Sequence, residues 1–94
     1  MKTEQFESVW DAIEATPAAA ANMKARSSVM FAIEQTVKTW NVSQLAAAKR
    51  LGLTQPRLND LLRGRINKFS LDALMMIAAK AGVSVRLEVE RPAA

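Results

Sequence analysis

A mainly α-helical single domain of five helices, closed by one C-terminal β-strand, is the fold class this 94-residue chain predicts, and three observations predict it. Apolar residues recur at helical spacing through most of the chain, punctuated by cap-type residues and by glycines at 52, 64 and 82. Residues 44–64, QLAAAKRLGLTQPRLNDLLRG, read as two short helices around a tight turn. After Gly82 the apolar period drops to two, the spacing of a half-buried strand.

The elements follow in order. Phe6–Ala15 reads as a short helix with Val9, Trp10 and Ile13 along one edge. Thr16-Pro17 restarts the chain as an N-cap followed by a proline in the first helical position, where its missing N–H costs nothing. A long helix then runs to about Trp40, favoured at its start by Ala18–Ala21. At 100° per residue, Met23, Val29, Met30, Ile33, Val37 and Trp40 fall within an arc of about 120°. Phe31 falls outside that arc; it either packs under the first helix, the favoured reading, or is an exposed contact for a partner.

Asn41-Val42-Ser43 breaks the helix, and Ser43 is placed to cap the next, which opens at Gln44. Ala48 suits a close helix crossing, and Gly52 suits a turn that needs positive φ. Leu45, Leu51, Leu53, Leu58, Leu61 and Leu62 supply the apolar contacts of the two-helix unit. Thr54 caps the second helix and Gly64 ends it. Arg65–Phe69 is a connector, and Ser70 caps a last helix, Leu71–Ala81, with Leu71, Leu74, Met75, Ile77 and Ala78 on its buried side. The Met75-Met76 pair reads as core filling. Val83, Val85, Leu87 and Val89 then alternate with polar residues, and no second strand is available to pair with them. Unpaired backbone is unfavourable when buried, so the expected solution is pairing with the same strand of a second copy, giving a two-fold dimer. The alternatives are a helix extension or a strand packed alone against helices. Residues 91–94 form a frayed tail.

Composition narrows the chemistry. The chain has no histidine and no cysteine, which removes the commonest general base, the thiolate ligands and any disulfide. With no clustered carboxylates of acid–base spacing and no phosphate-cradling glycine loop, an enzyme is the least favoured class, and no metal or other cofactor is expected. No apolar run approaches a membrane span, and the acidic N-terminus lacks a signal-peptide core, so a cytoplasmic protein is expected. A single domain of this size buries only about 60–65% of its unfolded surface, so a partner chain would help.

Net charge is +4, unevenly distributed. Lys49, Arg50, Arg57, Arg63, Arg65 and Lys68 face a single acid, Asp60, across residues 49–68. Glu4, Glu7, Asp11 and Glu14 stand without a base across residues 4–14. A basic run is often only a solvated surface. Coincidence with a helix-turn-helix points it instead at nucleic-acid phosphates, with the second helix as the recognition helix.

Individual roles follow from side-chain chemistry. Gln44, at a helix N-terminus, suits a phosphate contact or a surface cap. Gln55 suits an adenine N6/N7 pair, or clamps Gln44; Arg57 suits guanine O6/N7 or a phosphate, or is a solvated arginine. Asn59 shares their outward surface. Asp60 would repel phosphate, so it accepts from a cytosine amine or holds Arg57 or Arg63 in place. Arg63, Arg65, Asn67 and Lys68 are assigned to the phosphate backbone rather than to specificity. Thr54 is a helix cap first and a phosphate contact second.

From Ser28 to Val89 the chain resembles the XRE-type, lambda-repressor-like helix-turn-helix family and, within it, the short HigA-like antitoxins of toxin–antitoxin pairs. The residues that carry this are SQLAAAKRLGLTQPRLNDLLRGRINKFSLDALMMIAAKAGVSVRLEVE, and LGLTQPRLNDLLRG followed by FSLDALMMIAAKAGVSV looks particularly like that group. They include the glutamines Gln44 and Gln55, the Phe69-Ser70-Leu71 run and the terminal strand Val83–Val89. Pro56 departs from the pattern: it stands where many members present a base-reading side chain, which shifts the base code to its neighbours.

The resemblance implies a homodimer that binds a double-stranded DNA operator, represses its own operon and neutralises a toxin, often a small basic ribosome-dependent RNase. Such a toxin would meet the acidic segment, with Phe6, Trp10 and Phe31 as apolar anchors; the bland alternative is that Trp10 and Phe31 pack together. The layout implied is 1–16 as N-terminal helix and partner segment, 17–82 as the helical DNA-binding core, and 83–90 as a dimerisation strand. A stand-alone or prophage-type repressor without a toxin shares the same DNA chemistry. A helical interaction module that binds no DNA is the reading from another class.

Overall fold

The computed structural model describes residues 16–93. The helix expected over Phe6–Ala15, with Phe6, Trp10 and the acidic residues, lies outside them. Among the described residues the chain folds into α1 (Pro17–Trp40), α2 (Gln44–Leu51), α3 (Gln55–Leu62), a 3-10 turn at Ile66–Lys68, and α4 (Leu71–Ala81).

Each helix starts where its sequence supplies a cap. Thr16 Oγ1, Ser43 Oγ, Thr54 Oγ1 and Ser70 Oγ each accept a hydrogen bond from the backbone N–H three residues on, at 3.0–3.2 Å. Three helices end in left-handed residues: Asn41 (φ 53°) after α1, Gly52 (φ 70°) after α2 and Gly82 (φ 79°) after α4. At the α2–α3 turn the Leu53 N–H donates to the Ala48 carbonyl at 2.8 Å, which closes the turn only if Gly52 holds positive φ.

The long helix α1 packs most extensively on α4, while α2 packs on both α3 and α4, and α3 and the 3-10 turn also touch α1. The core between them holds Met30, Ile33, Leu51, Leu58, Leu61, Phe69 and Leu74, each no more than 3% exposed. Ala47 and Ala48 are both buried on α2, where small side chains let its backbone approach α3 and α4. Val29, Met30, Ile33 and Val37 are the buried residues of α1, and Met23 and Trp40 flank them half-buried, which matches the arc drawn from helical spacing.

Several expectations are corrected. Val83–Val89 forms no strand: residues 83–93 carry no regular secondary structure. Only Val83 is drawn in, half-buried, with its N–H donating to the Ala78 carbonyl at 2.9 Å. The physical reason is that a β-ladder needs a second strand, and the described residues contain none. Leu87 and Val89 are left 85% and 79% exposed. Four of the five expected helices fall among the described residues, and all four are formed.

Met75 and Met76 are exposed, not core filling, and Leu45 is exposed as well. The buried arc of α4 is set by Leu74, Ile77, Ala78 and Ala81, and at 100° per residue Met75 and Met76 point well away from it. Leu45 is likewise off the arc set by Ala47, Ala48 and Leu51. Phe31 is 60% exposed, so its favoured placement under the first helix receives no support from the described residues.

Candidate nucleic-acid interface

The α2–turn–α3 unit and the connector after it carry every residue singled out for DNA contact. Gln44 is the first residue of α2 and Gln55 the first of α3; both are exposed, and neither hydrogen-bonds the other. The clamp between the two glutamines is therefore not formed. Pro56 occupies the second position of α3, where it removes no helical hydrogen bond. Leu58 and Leu61 anchor α3 in the core with no exposure at all. That leaves Gln55, Asn59 and Arg63, spaced four residues apart, along one side of the helix and its C-terminal end. The side chains of Gln55 and Asn59 make no hydrogen bond within the described residues. Thr54 is the cap expected, accepting from the Arg57 N–H at 3.2 Å.

Arg57 is not free. Its Nη1 donates to the Lys68 carbonyl at 2.7 Å, and its guanidinium carbon lies 4.0 Å from the centroid of the Phe69 ring. Phe69 is 1% exposed, so the arginine caps a buried aromatic while tying α3 to the connector. A base contact by Arg57 would have to use the donors that these two interactions leave free, or give the interactions up. Asp60 holds neither Arg57 nor Arg63. Its carboxylate pairs with Arg65 Nη1 at 3.2 Å and lies 4.0 Å from Lys68 Nζ. Arg57 already has its partners, and Arg63 ends the helix exposed to solvent. These ion pairs are partly exposed, with the cationic side chains 45% and 53% accessible, so each contributes at most about 1 kcal/mol.

The connector is built, not loose. Gly64 (φ 72°) lets the Arg65 N–H reach the Asp60 carbonyl at 3.0 Å, and the chain then turns through Ile66–Lys68 with the Lys68 N–H on the Arg65 carbonyl at 3.0 Å. Its outward side chains, Arg65, Asn67 and Lys68, are all exposed.

Arg26 on α1 was not anticipated from sequence. Its Nη1 donates to the Ile66 carbonyl at 3.1 Å and to the Phe69 carbonyl at 3.3 Å, while Asn22 Oδ1 accepts from its Nε at 2.8 Å. No spacing rule links a residue 40 positions upstream to the connector; the local signal was a basic residue in the middle of the buried arc of α1, in line with Val29, Met30, Ile33 and Val37. Arg50 also has an unforeseen partner, lying 3.9 Å over the Trp40 ring at the far end of α1. Lys49 stays exposed beside it.

Among the described residues no three acidic, histidine or cysteine side chains group as metal ligands, and no helix is long and apolar enough to cross a membrane. A family model described as a helix-turn-helix domain matches residues 13–90. A solved structure described as an XRE family transcriptional regulator superposes with a TM-score of 0.70 at 25% identity, covering 78% of this chain and 82% of that one. No curated protein matches.

Proposed function

The chain belongs to the helix-turn-helix domain family, and from that premise we propose that it is a sequence-specific DNA-binding transcriptional regulator that represses the operon encoding it. One observation carries the reading. The unpartnered polar side chains of α3, Gln55 and Asn59, lie beside exposed cations, Arg63 at the helix end and Arg65 and Lys68 on the connector. Polar groups free to meet base edges, flanked by cations able to replace phosphate counterions, are the two components of a sequence-reading surface. Similarity to an XRE family regulator supports the same reading.

In this assignment Gln55 and Asn59 meet bases, Gln44 and Thr54 meet phosphates at the starts of α2 and α3, and Arg63, Arg65, Asn67 and Lys68 grip the flanking backbone. The protein works in the cytoplasm as a homodimer on a near-palindromic operator. The exposed, unpaired segment carrying Val85, Leu87 and Val89 supports dimerisation by pairing with its own copy. The likeness of LGLTQPRLNDLLRG and FSLDALMMIAAKAGVSV to short antitoxins supports a second role, neutralising a small basic RNase. The acidic stretch Glu4–Glu14 and the exposed Phe31 supply a surface of suitable charge and polarity.

Selection of duplexes from a random library, followed by titration at several salt concentrations, tests the DNA reading. An enriched sequence bound with a steep salt dependence is expected. Enrichment of nothing, or salt-independent retention, leaves an interaction module as the better account. Co-purification with the product of a neighbouring reading frame that encodes a small basic protein tests the antitoxin role.

A further inference from the structure

We propose that Arg57 and Arg26 are positioning residues for DNA binding. Together they hold the backbone of the Ile66–Lys68 turn so that Arg65, Asn67 and Lys68 meet the phosphates. Base reading is left to Gln55 and Asn59. The inference rests on the DNA-binding reading above and names how that surface is organised.

Three carbonyls in and beside one short turn are held by two arginines from different helices. Ile66 and Phe69 present theirs to Arg26 of α1, and Lys68 presents its own to Arg57 of α3. The buried Phe69 ring lies under the Arg57 guanidinium and anchors the end of the turn in the core. With the carbonyls held in this way, the side chains of residues 65, 67 and 68 stay exposed to solvent, and Asp60 draws two of them, Arg65 and Lys68, back toward α3. A 3-10 turn of three residues has little hydrogen bonding of its own, so fixed geometry here needs outside donors. Arginine suits the task because it stays charged and its planar fork can donate to a carbonyl while its face stacks on a ring. Arg57 commits a donor and its face in this way, whereas Gln55 and Asn59 keep their full hydrogen-bonding capacity for base edges.

The test uses Arg57→Met and Arg26→Met, which keep apolar stems over Phe69 and α1 but remove the donors. Titrations use the duplex selected by the wild-type chain, a panel of single-base variants of it, and a scrambled duplex. If Arg57 positions the turn, Arg57→Met weakens binding to all of these duplexes by a similar factor and leaves the order of preference unchanged. The salt slope becomes shallower by about 1 for each phosphate that is no longer neutralised. In a Lys68→Ala background the same substitution costs distinctly less than it does alone, because the two residues act on the same phosphate. Loss of discrimination confined to one or two base pairs would mean that Arg57 reads bases. Full additivity with Lys68→Ala would mean that it grips phosphate directly. Either overturns the proposal.

Amide hydrogen exchange on the DNA-free proteins separates this inference from the function it rests on. Both variants should exchange faster at Lys68 and Phe69 and normally in the α1–α4 core. Unchanged exchange at those amides overturns the clamp whatever the DNA results. Faster exchange in a protein whose wild type binds no duplex refutes the DNA reading and, with it, the positioning role.

Discussion

Phe69→Ala and Phe31→Ala make the same chemical change at two positions that differ in burial, and their consequences should differ severalfold. Phe69 is 1% exposed and sits in the core cluster with Leu58, Leu61 and Leu74, whereas Phe31 is 60% exposed on α1. Truncating a buried phenylalanine costs about 3–5 kcal/mol, from the forfeited transfer energy and the cavity that remains. Phe69→Ala also removes the ring under Arg57, which adds about 0.5–1 kcal/mol. At Phe31 less than half of the side-chain benefit is realised, so roughly 1 kcal/mol or less is expected. A domain of this length has a total stability of roughly 5–14 kcal/mol, so Phe69→Ala removes a large fraction of it. Urea denaturation followed by circular dichroism should show a midpoint lowered by about 2 M or more for Phe69→Ala and by well under 1 M for Phe31→Ala. Comparable midpoints would mean that Phe31 is covered in the folded protein or that Phe69 is not part of the core, and the burial argument would fail.

Thr54→Ala should cost about 1 kcal/mol by removing the acceptor for the Arg57 N–H, while Thr54→Ser should change little; equal melting temperatures for wild type and Thr54→Ala would show that the cap is not formed. Deleting residues 84–94 should convert a dimer to a monomer by light scattering without lowering helix content, because Val83, whose amide closes α4, is retained. A truncated chain that keeps the mass of a dimer at micromolar concentration would refute pairing through this segment.

Helix positions in this protein are local facts, and the sequence by itself determined them. Thr16, Ser43, Thr54 and Ser70 cap the helices because a short side chain reaches the N–H three residues on, a distance set by the helix alone. Asn41, Gly52 and Gly82 end helices because they tolerate positive φ, again without reference to any distant residue. The buried face of α1 followed from a rotation of about 100° per residue. What needed the tertiary structure was every question of partner. Period two marked Val83–Val89 as fit for a sheet, but a strand exists only where another backbone completes the ladder, and the described residues supply none. Met75 and Phe69 are both large and apolar; packing of the helices around the core decided that one is exposed and the other buried. The arginines make the same point most sharply. Charge and helical spacing cannot distinguish a guanidinium free for a guanine from one bound to a carbonyl 11 residues away, because that carbonyl's position is set by the turn at Ile66–Lys68 and by the core beneath Phe69.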